Sequence, residues 1–238
     1  GSFTWAGVTG DGRRRVVYTR VDGLRPASVY EHILGDHPAS DALLYQEADP
    51  TAFLRISSTK DDRYVVLLSS TKTTTEIHVL DPATDRPLPR VLARRREGAQ
   101  YFVEHRHGWF YVVTNEGDGE YRIARARDVP PGPLEDLETV YEPDVGEVIE
   151  DADVFDTHII VLVRRYGLQQ LRCVRFDRDN PHRLRDVLSL GGAMYGTLVP
   201  GANVDYTSTT WRMSLESPLG EERVVDCCAD SGTIRTLH

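Results

Sequence analysis

The sequence predicts an all-β protein, a β-propeller of four-stranded antiparallel blades. Its apolar segments are three to six residues long, rich in Val, Ile, Leu, Tyr and Phe, and bounded by Gly, Pro, Asp and Asn, which is typical of short strands. Pairs of these segments recur five times: the first members begin at residues 16, 65, 110, 159 and 211, the second at 29, 77, 121, 171 and 224. A spacing of about 50 residues is the size of a propeller repeat.

Tight turns are predicted inside the repeats. Asp22-Gly23, Asp118-Gly119 and Tyr166-Gly167 each lie between two apolar segments. Asp-Gly readily adopts the positive φ angles of two-residue hairpin turns, so the flanking strands should pair with each other.

Each repeat has room for four strands. In the third, these are predicted over 101–103, 109–114, 121–126 and 139–141, with a Pro- and acid-rich connector over 128–137. The second runs from Phe53 through 64–68 and 76–80 to Leu92, and the fourth and fifth begin near Val148 and Thr197. Four strands in a meander make one blade. A β-sandwich is the competing architecture, but its strands lack so long a period. Whether five blades close a small ring or form an arc of a larger one stays open.

Composition excludes several classes of protein. The 238 residues carry a formal charge of −9, which argues against general nucleic-acid binding. No apolar run is long enough to span a bilayer and no secretory signal is evident, so we expect no membrane partner and a cytoplasmic location. Three cysteines, two of them adjacent, favour reduced thiols. The clusters Arg13–Arg15 and Arg94–Arg96, each near an acidic residue, are interpreted as solvated turns.

No catalytic serine motif is present. A serine hydrolase of the α/β class needs a G-x-S-x-G turn that presents the hydroxyl to a histidine base. The nearest string, Ser189–Gly192, lacks this pattern and is interpreted as a turn between blades. The chain as it stands is therefore expected to be inactive as a peptidase.

Other clusters of chemically active side chains are assigned structural roles, and no metal or cofactor is expected. Glu104–His107 lacks zinc spacing, and Asn115–Glu120 lacks the twelfth-position glutamate of a calcium loop. Asp151, Asp153 and Asp156 are interpreted as an acidic edge. Three aromatic residues are expected to pack between blades rather than bind a ligand: Trp109, Tyr111 and Trp211.

An acid-rich stretch from Glu135 to Asp156 allows a functional reading beside that of an ordinary solvated face. It contains ten carboxylates and no Lys or Arg. Such a surface concentrates cationic ligands. It could therefore steer basic peptides.

Several blocks of sequence, in order along nearly the whole chain, resemble the propeller of the prolyl oligopeptidase family, and most of all its oligopeptidase B branch. These blocks are 18–20, 29–32, 44–47 ahead of Asp49, 56–64, 70–76 running into 79–81, 101–105, 110–115, 167–172, 203–206 and 214–218. The resemblance implies a seven-bladed propeller that covers an α/β-hydrolase domain and restricts entry to short peptides. The oligopeptidase B branch cleaves after Arg or Lys.

On this basis we interpret residues 1–238 as five consecutive blades of that propeller, without the hydrolase domain. The expected function is non-catalytic, namely gating the access of short basic peptides to the hydrolase domain, which with the peptides would be the partner. The alternative is a propeller scaffold that mediates protein–protein interaction in a larger assembly. The family's catalytic residues have no matching positions in this sequence, so no catalytic, cofactor, metal or substrate-binding residue is nominated.

Overall fold

A computed structural model describes residues 1–128, 133–134, 137–192, 196–218 and 220–237. Its strands form five four-stranded antiparallel sheets, each built from four consecutive strands in chain order. We call the sheets blades 1 to 5. The predicted meander of four strands per repeat is therefore confirmed in all five repeats.

The blades follow one another along the chain. Blade 1 contains β1 (Phe3–Val8), β2 (Arg14–Asp22), β3 (Arg25–Ile33) and β4 (Ala42–Gln46), with a short 3-10 helix over Pro38–Ser40. Blade 2 contains β5 (Phe53–Ser58), β6 (Val65–Ser70), β7 (Thr75–Leu80) and β8 (Arg90–Ala93). Blade 3 contains β9 (Tyr101–Arg106), β10 (Trp109–Thr114), β11 (Arg122–Arg127) and β12 (Glu138–Tyr141). Blade 4 contains β13 (Glu147–Val154), β14 (His158–Arg165), β15 (Leu168–Phe176) and β16 (Leu184–Gly192). Blade 5 contains β17 (Thr197–Pro200), β18 (Thr210–Glu216), β19 (Arg223–Cys228) and β20 (Ile234–Thr236).

The predicted hairpin turns lie where the sequence placed them. Tyr166 and Gly167 join β14 to β15 with φ of 50° and 81°. Two successive positive φ values match the right-handed twist of the flanking strands. His107 and Gly108 do the same between β9 and β10, with φ of 48° and 74°, so His107 lies in a turn rather than in a strand.

The buried core runs from blade to blade. Four apolar clusters each span one junction: Leu67 belongs to the cluster of blades 1 and 2, Phe110 to that of 2 and 3, Val161 to that of 3 and 4, and Trp211 to that of 4 and 5. Among the described residues, no such cluster joins blade 5 to blade 1. The five blades therefore form an arc whose buried core is not closed into a ring, which answers the question that the sequence left open.

The arc has two faces that the chain reaches alternately. The hairpins between the second and third strands of each blade, and the links between blades, lie on one face, here called the linker face. The first and third connections of each blade lie on the opposite face. Because every blade has four antiparallel strands, β1 begins and β20 ends at the linker face.

Two sequence interpretations are wrong in detail. Ser189–Gly192 is not a turn between blades but the end of β16, where Ser189 pairs with Arg172 of β15. Arg15 is not solvated: its side chain is 1% exposed because it lies in β2 and points toward blade 2. There it pairs with Glu31 at 2.7 Å and donates to the carbonyl of Asp85 at 2.8 Å.

Arg13 and Arg14 are exposed, as expected, and so are Arg94 and Arg96. Arg95 is half-buried. The described residues include no helix with the length and apolarity that crossing a membrane requires.

Candidate ligand cleft

A cleft of about 1480 Å³ opens at the linker face where blades 1, 2 and 3 meet. Its rim is made by the β2–β3 hairpin with Leu24, the link before β5 with Asp49 and the β6–β7 hairpin with Lys72. Leu24 is 99% exposed at this rim. The inner wall carries two half-exposed aromatic rings, Phe53 and Phe102, from the first strands of blades 2 and 3.

A charged network fixes the wall of this cleft. Arg95 donates to the carboxylate of Glu47 at 3.1 Å, to the hydroxyl of Ser69 at 2.7 Å and to that of Thr74 at 3.2 Å. Ser69 also donates to Glu47, and the Asp49 N–H donates to the other Glu47 oxygen at 2.8 Å. Burial opposes ionisation of Glu47, but these donors and the guanidinium hold the pKa of its carboxyl below its usual range. The network ties the link after blade 1 to the link after blade 2.

A second, smaller pocket of about 340 Å³, here called the inner pocket, adjoins the cleft and is lined by strands of blades 2, 3 and 4. Both cavities share four lining residues: Arg55, Ile56, Leu68 and Phe102. The walls of the inner pocket are mainly aliphatic and aromatic, with Val66, Tyr111 and Val154 among them. Its volume lies in the range of small-molecule sites, which are largely apolar with a few placed polar groups.

Glu104 of β9 is the one carboxylate that lines this pocket in the described part of the chain. It accepts a hydrogen bond from the backbone N–H of Lys60 at 2.9 Å and makes no ion pair with any described residue. The Lys60 ammonium is committed elsewhere: it pairs with Asp153 and lies 3.8 Å above the ring of Phe155. Burial raises the pKa of Glu104 to about 7, an effect that the hydrogen bond and the charge of Lys60 offset only in part.

Arg55 of β5 supplies the positive charge of the pocket. It is exposed and, within the described ranges, makes neither a hydrogen bond nor an ion pair. Arg95, the other arginine that lines the cleft, is hydrogen-bonded to Glu47. The pocket is thus lined by an unpaired guanidinium on β5 and by a carboxyl group on β9 that makes no ion pair with a described residue.

Sequence reasoning nominated neither Arg55 nor Glu104 as a ligand-binding residue. One signal was available: Phe53-Leu54-Arg55 and Phe102-Val103-Glu104 repeat the order aromatic, aliphatic, charged at a spacing of 49 residues, the period of the blades. Both charged residues of this repeat lie in the first strand of their blade and line the pocket.

The Glu104–His107 cluster is dispersed by the structure. His105 is buried and contacts Asp61 at 2.6 Å and Asp128 at 3.3 Å, whereas His107 contacts Asp156 at 2.8 Å. Among the described residues, no group of three or more His, Cys, Asp or Glu side chains is arranged so that it could hold a metal ion. Asn115–Glu120 forms the β10–β11 turn, as expected.

The acid-rich stretch is largely paired rather than free. Five of its carboxylates make ion pairs: Glu138, Glu147, Glu150, Asp153 and Asp156. Glu147 is buried against Arg172, so it cannot act as a surface charge. Glu135 and Asp136 lie outside the described residues. This arrangement gives the steering hypothesis little support.

The three aromatic residues expected in the core lie between blades. Tyr111 and Trp211 are 1% and 2% exposed. Trp109 is half-buried between the guanidinium groups of Arg125 and Arg127, at 4.6 and 4.5 Å. The three cysteines are free thiols, as expected.

The fold is that of a β-propeller domain with a cleft at one face. The chain matches the description "Prolyl oligopeptidase, N-terminal beta-propeller domain" over residues 3–233, and it belongs to the prolyl oligopeptidase family. It is 30% identical to Protease 2 of Moraxella lacunata over 232 residues, which cover 91% of this chain and 32% of that protein. It is also 30% identical to the prolyl endopeptidase-like protein of Gallus gallus over 176 residues, 74% of this chain and 23% of that protein.

Solved structures of oligopeptidase B share the fold. The enzyme from Trypanosoma brucei, in a closed form with covalently bound antipain, superposes with a TM-score of 0.85 at 21% identity, over 94% of this chain and 32% of that one. The enzyme from Leishmania major also gives a TM-score of 0.85, at 20% identity, over 100% of this chain and 34% of that one. The chain spans about a third of the length of these relatives.

Proposed function

We propose that this chain is the larger part of the non-catalytic propeller of an oligopeptidase-B-like serine peptidase, and that it gates the access of short basic peptides to a hydrolase domain. Family membership and the similarity to Protease 2 support this proposal. Residues 1–238 would form five blades of this domain, and two further blades of the parent protein would complete a seven-bladed ring. A cytoplasmic location is part of the same proposal.

The observation that carries the proposal is the position of the chain ends. Both the start of β1 and the end of β20 lie at the linker face, which is also where the large cleft opens. A domain joined to either end of such a propeller would therefore emerge on the face at which the cleft opens. Such a domain would receive any peptide that the cleft admits.

Site-specific labelling tests which face lies over the hydrolase domain. In the full-length polypeptide, with Cys228 changed to serine, a single cysteine is introduced as Lys72→Cys on the linker face or Arg86→Cys on the opposite face. Both residues are exposed. A bulky polyethylene glycol maleimide should lower kcat/KM for an Arg-Arg fluorogenic peptide about tenfold at position 72 and leave it unchanged at 86. Equal effects at the two positions would contradict the proposed arrangement.

The scaffold alternative makes a different prediction. A scaffold would carry no functional serine hydrolase, so the full-length polypeptide would neither turn over the Arg-Arg peptide nor react with a fluorophosphonate. Turnover that the fluorophosphonate blocks would exclude the scaffold as the main role.

A further inference from the structure

We propose that the inner pocket binds the C-terminal Arg or Lys residue of a short peptide, with Glu104 contacting the side-chain cation and Arg55 contacting the terminal carboxylate. The inference deepens the proposed function, and it rests on that function only for the source of the peptide. A peptidase that cleaves after Arg or Lys releases products with this terminus, so the pocket would hold a product on the wall of the propeller.

The pocket is lined by two ionisable side chains that have no charged partner among the described residues. Arg55 and Glu104 line one cavity, carry opposite charges and do not pair with each other or with another described side chain. The nearest competing cation, the Lys60 ammonium, is held by Asp153 and by the ring of Phe155. A ligand that satisfies both unpaired groups must carry a cation and an anion.

The wall of the pocket also carries apolar side chains. Ile56, Leu68 and Phe102 line both the cleft and the pocket. Aliphatic and aromatic surface suits the methylene stem of Arg or Lys, which buries its stem while its head group stays with polar partners. A free carboxylate recognised by arginine gains a charge-assisted contact.

The environment of Glu104 is unfavourable for an ionised carboxylate. A glutamic acid in this environment ionises only near neutral pH, because burial outweighs the single backbone hydrogen bond that supports it. Glutamine would satisfy the Lys60 N–H equally well without the cost of burying a charge. A carboxyl held in such a place is a candidate for function, where perturbed acidity is common.

Binding is tested by calorimetry on the 238-residue chain with three peptides: Gly-Gly-Arg, its C-terminal amide and Gly-Gly-citrulline. Citrulline keeps the shape of arginine without its charge. We expect the free acid of Gly-Gly-Arg to bind at least tenfold more tightly than either of the other two, since each lacks one charged contact. Equal affinities, or no saturable binding of Gly-Gly-Arg, would overturn the proposal.

Two variants assign the contacts. Glu104→Gln should abolish the preference for arginine over citrulline and keep that for acid over amide, and Arg55→Gln should do the reverse. Glu120→Gln and Arg94→Gln, exposed near the linker face but outside both cavities, are the matched controls and should retain both preferences. A Glu104→Gln chain that still prefers arginine would refute the role of Glu104.

The pH dependence gives an independent readout. Lys60, Asp61 and Asp153 are the charged groups that act on Glu104, and Arg55 shares its pocket. A bound cation favours the ionised carboxylate, so binding of Gly-Gly-Arg should release a proton at pH 6 and tighten between pH 6 and 8 in wild type but not in Glu104→Gln. This measurement needs no hydrolase activity, so the outcome is separate from the fate of the proposed peptidase function.

Discussion

Two glutamates at neighbouring blade junctions have opposite surroundings. Glu47, between blades 1 and 2, receives hydrogen bonds from Ser69, from the Asp49 N–H and from Arg95, which holds the pKa of its carboxyl below the usual range. Glu104, between blades 2 and 3, receives a single backbone hydrogen bond, and burial raises its pKa to about 7. The same side chain is thus an ionised structural link at one junction and a poorly stabilised acid at the next.

The difference shows how a propeller can separate stability from binding. At the first junction the buried carboxylate of Glu47 is paired with Arg95 and hydrogen-bonded within the protein. At the second junction Lys60 is paired with Asp153 instead, and both Glu104 and Arg55 line a cavity without an ion-pair partner in the described part of the chain. An unpaired charge beside a cavity lowers the stability of the fold, but a ligand of opposite charge can pair with it.

The largest expected effect comes from breaking the matched network. Arg95→Met would leave the carboxylate of Glu47 buried without its cation, and we expect a loss of about 3 kcal/mol in the free energy of unfolding at pH 7. Arg94→Met, one residue earlier and exposed, is the control and should change it by less than about 0.5 kcal/mol. Urea denaturation of both variants measures the difference, and similar losses would show that Arg95 is not a specific link.

A second, opposite effect is expected at the unmatched acid. The pKa of Glu104 in the folded protein exceeds its ordinary value of 4.5, so the stability contributed by the neutral form is fully present below pH 4.5 and is lost as pH rises through about 7. Glu104→Gln should therefore be more stable than wild type by about 3 kcal/mol at pH 8 and nearly equal to it at pH 4.5. Thermal melts across this range check the prediction, and a pH-independent difference would contradict it.

The smallest effect serves as a reference without electrostatics. Gly167 has a φ of 81° in the β14–β15 turn, and an added Cβ would meet no atom within 4 Å. Gly167→Ala should therefore cost about 1 kcal/mol through backbone strain alone, with no dependence on pH. Gly220→Ala, at a glycine without positive φ and with open space around it, is the control. A loss of stability at Gly167 that depends on pH would contradict the assignment of the cost to backbone strain alone.

Much of the fold could be predicted because the information is local. Short apolar segments and turns such as Tyr166-Gly167 predicted the strands of each blade, and their recurrence about every 50 residues predicted the number of blades. The interpretation of Ser189–Gly192 as a turn was wrong because its glycines are equally compatible with an edge strand, which only the pairing with β15 reveals. Arg15 was misplaced for a similar reason, since its partners Thr84 and Asp85 lie in another blade.

The sequence by itself determined the strands, their grouping into four-stranded blades and the family. Those features depend on neighbours in the chain, on turn geometry and on repetition. The tertiary structure alone decided that the core of the five blades stays an open arc and that Arg55 and Glu104 line one pocket. It also decided that Lys60 pairs with Asp153 and leaves Glu104 without a cation. These outcomes depend on which side chains from different blades come within a few ångströms of each other, because charge and burial act through space and not along the chain.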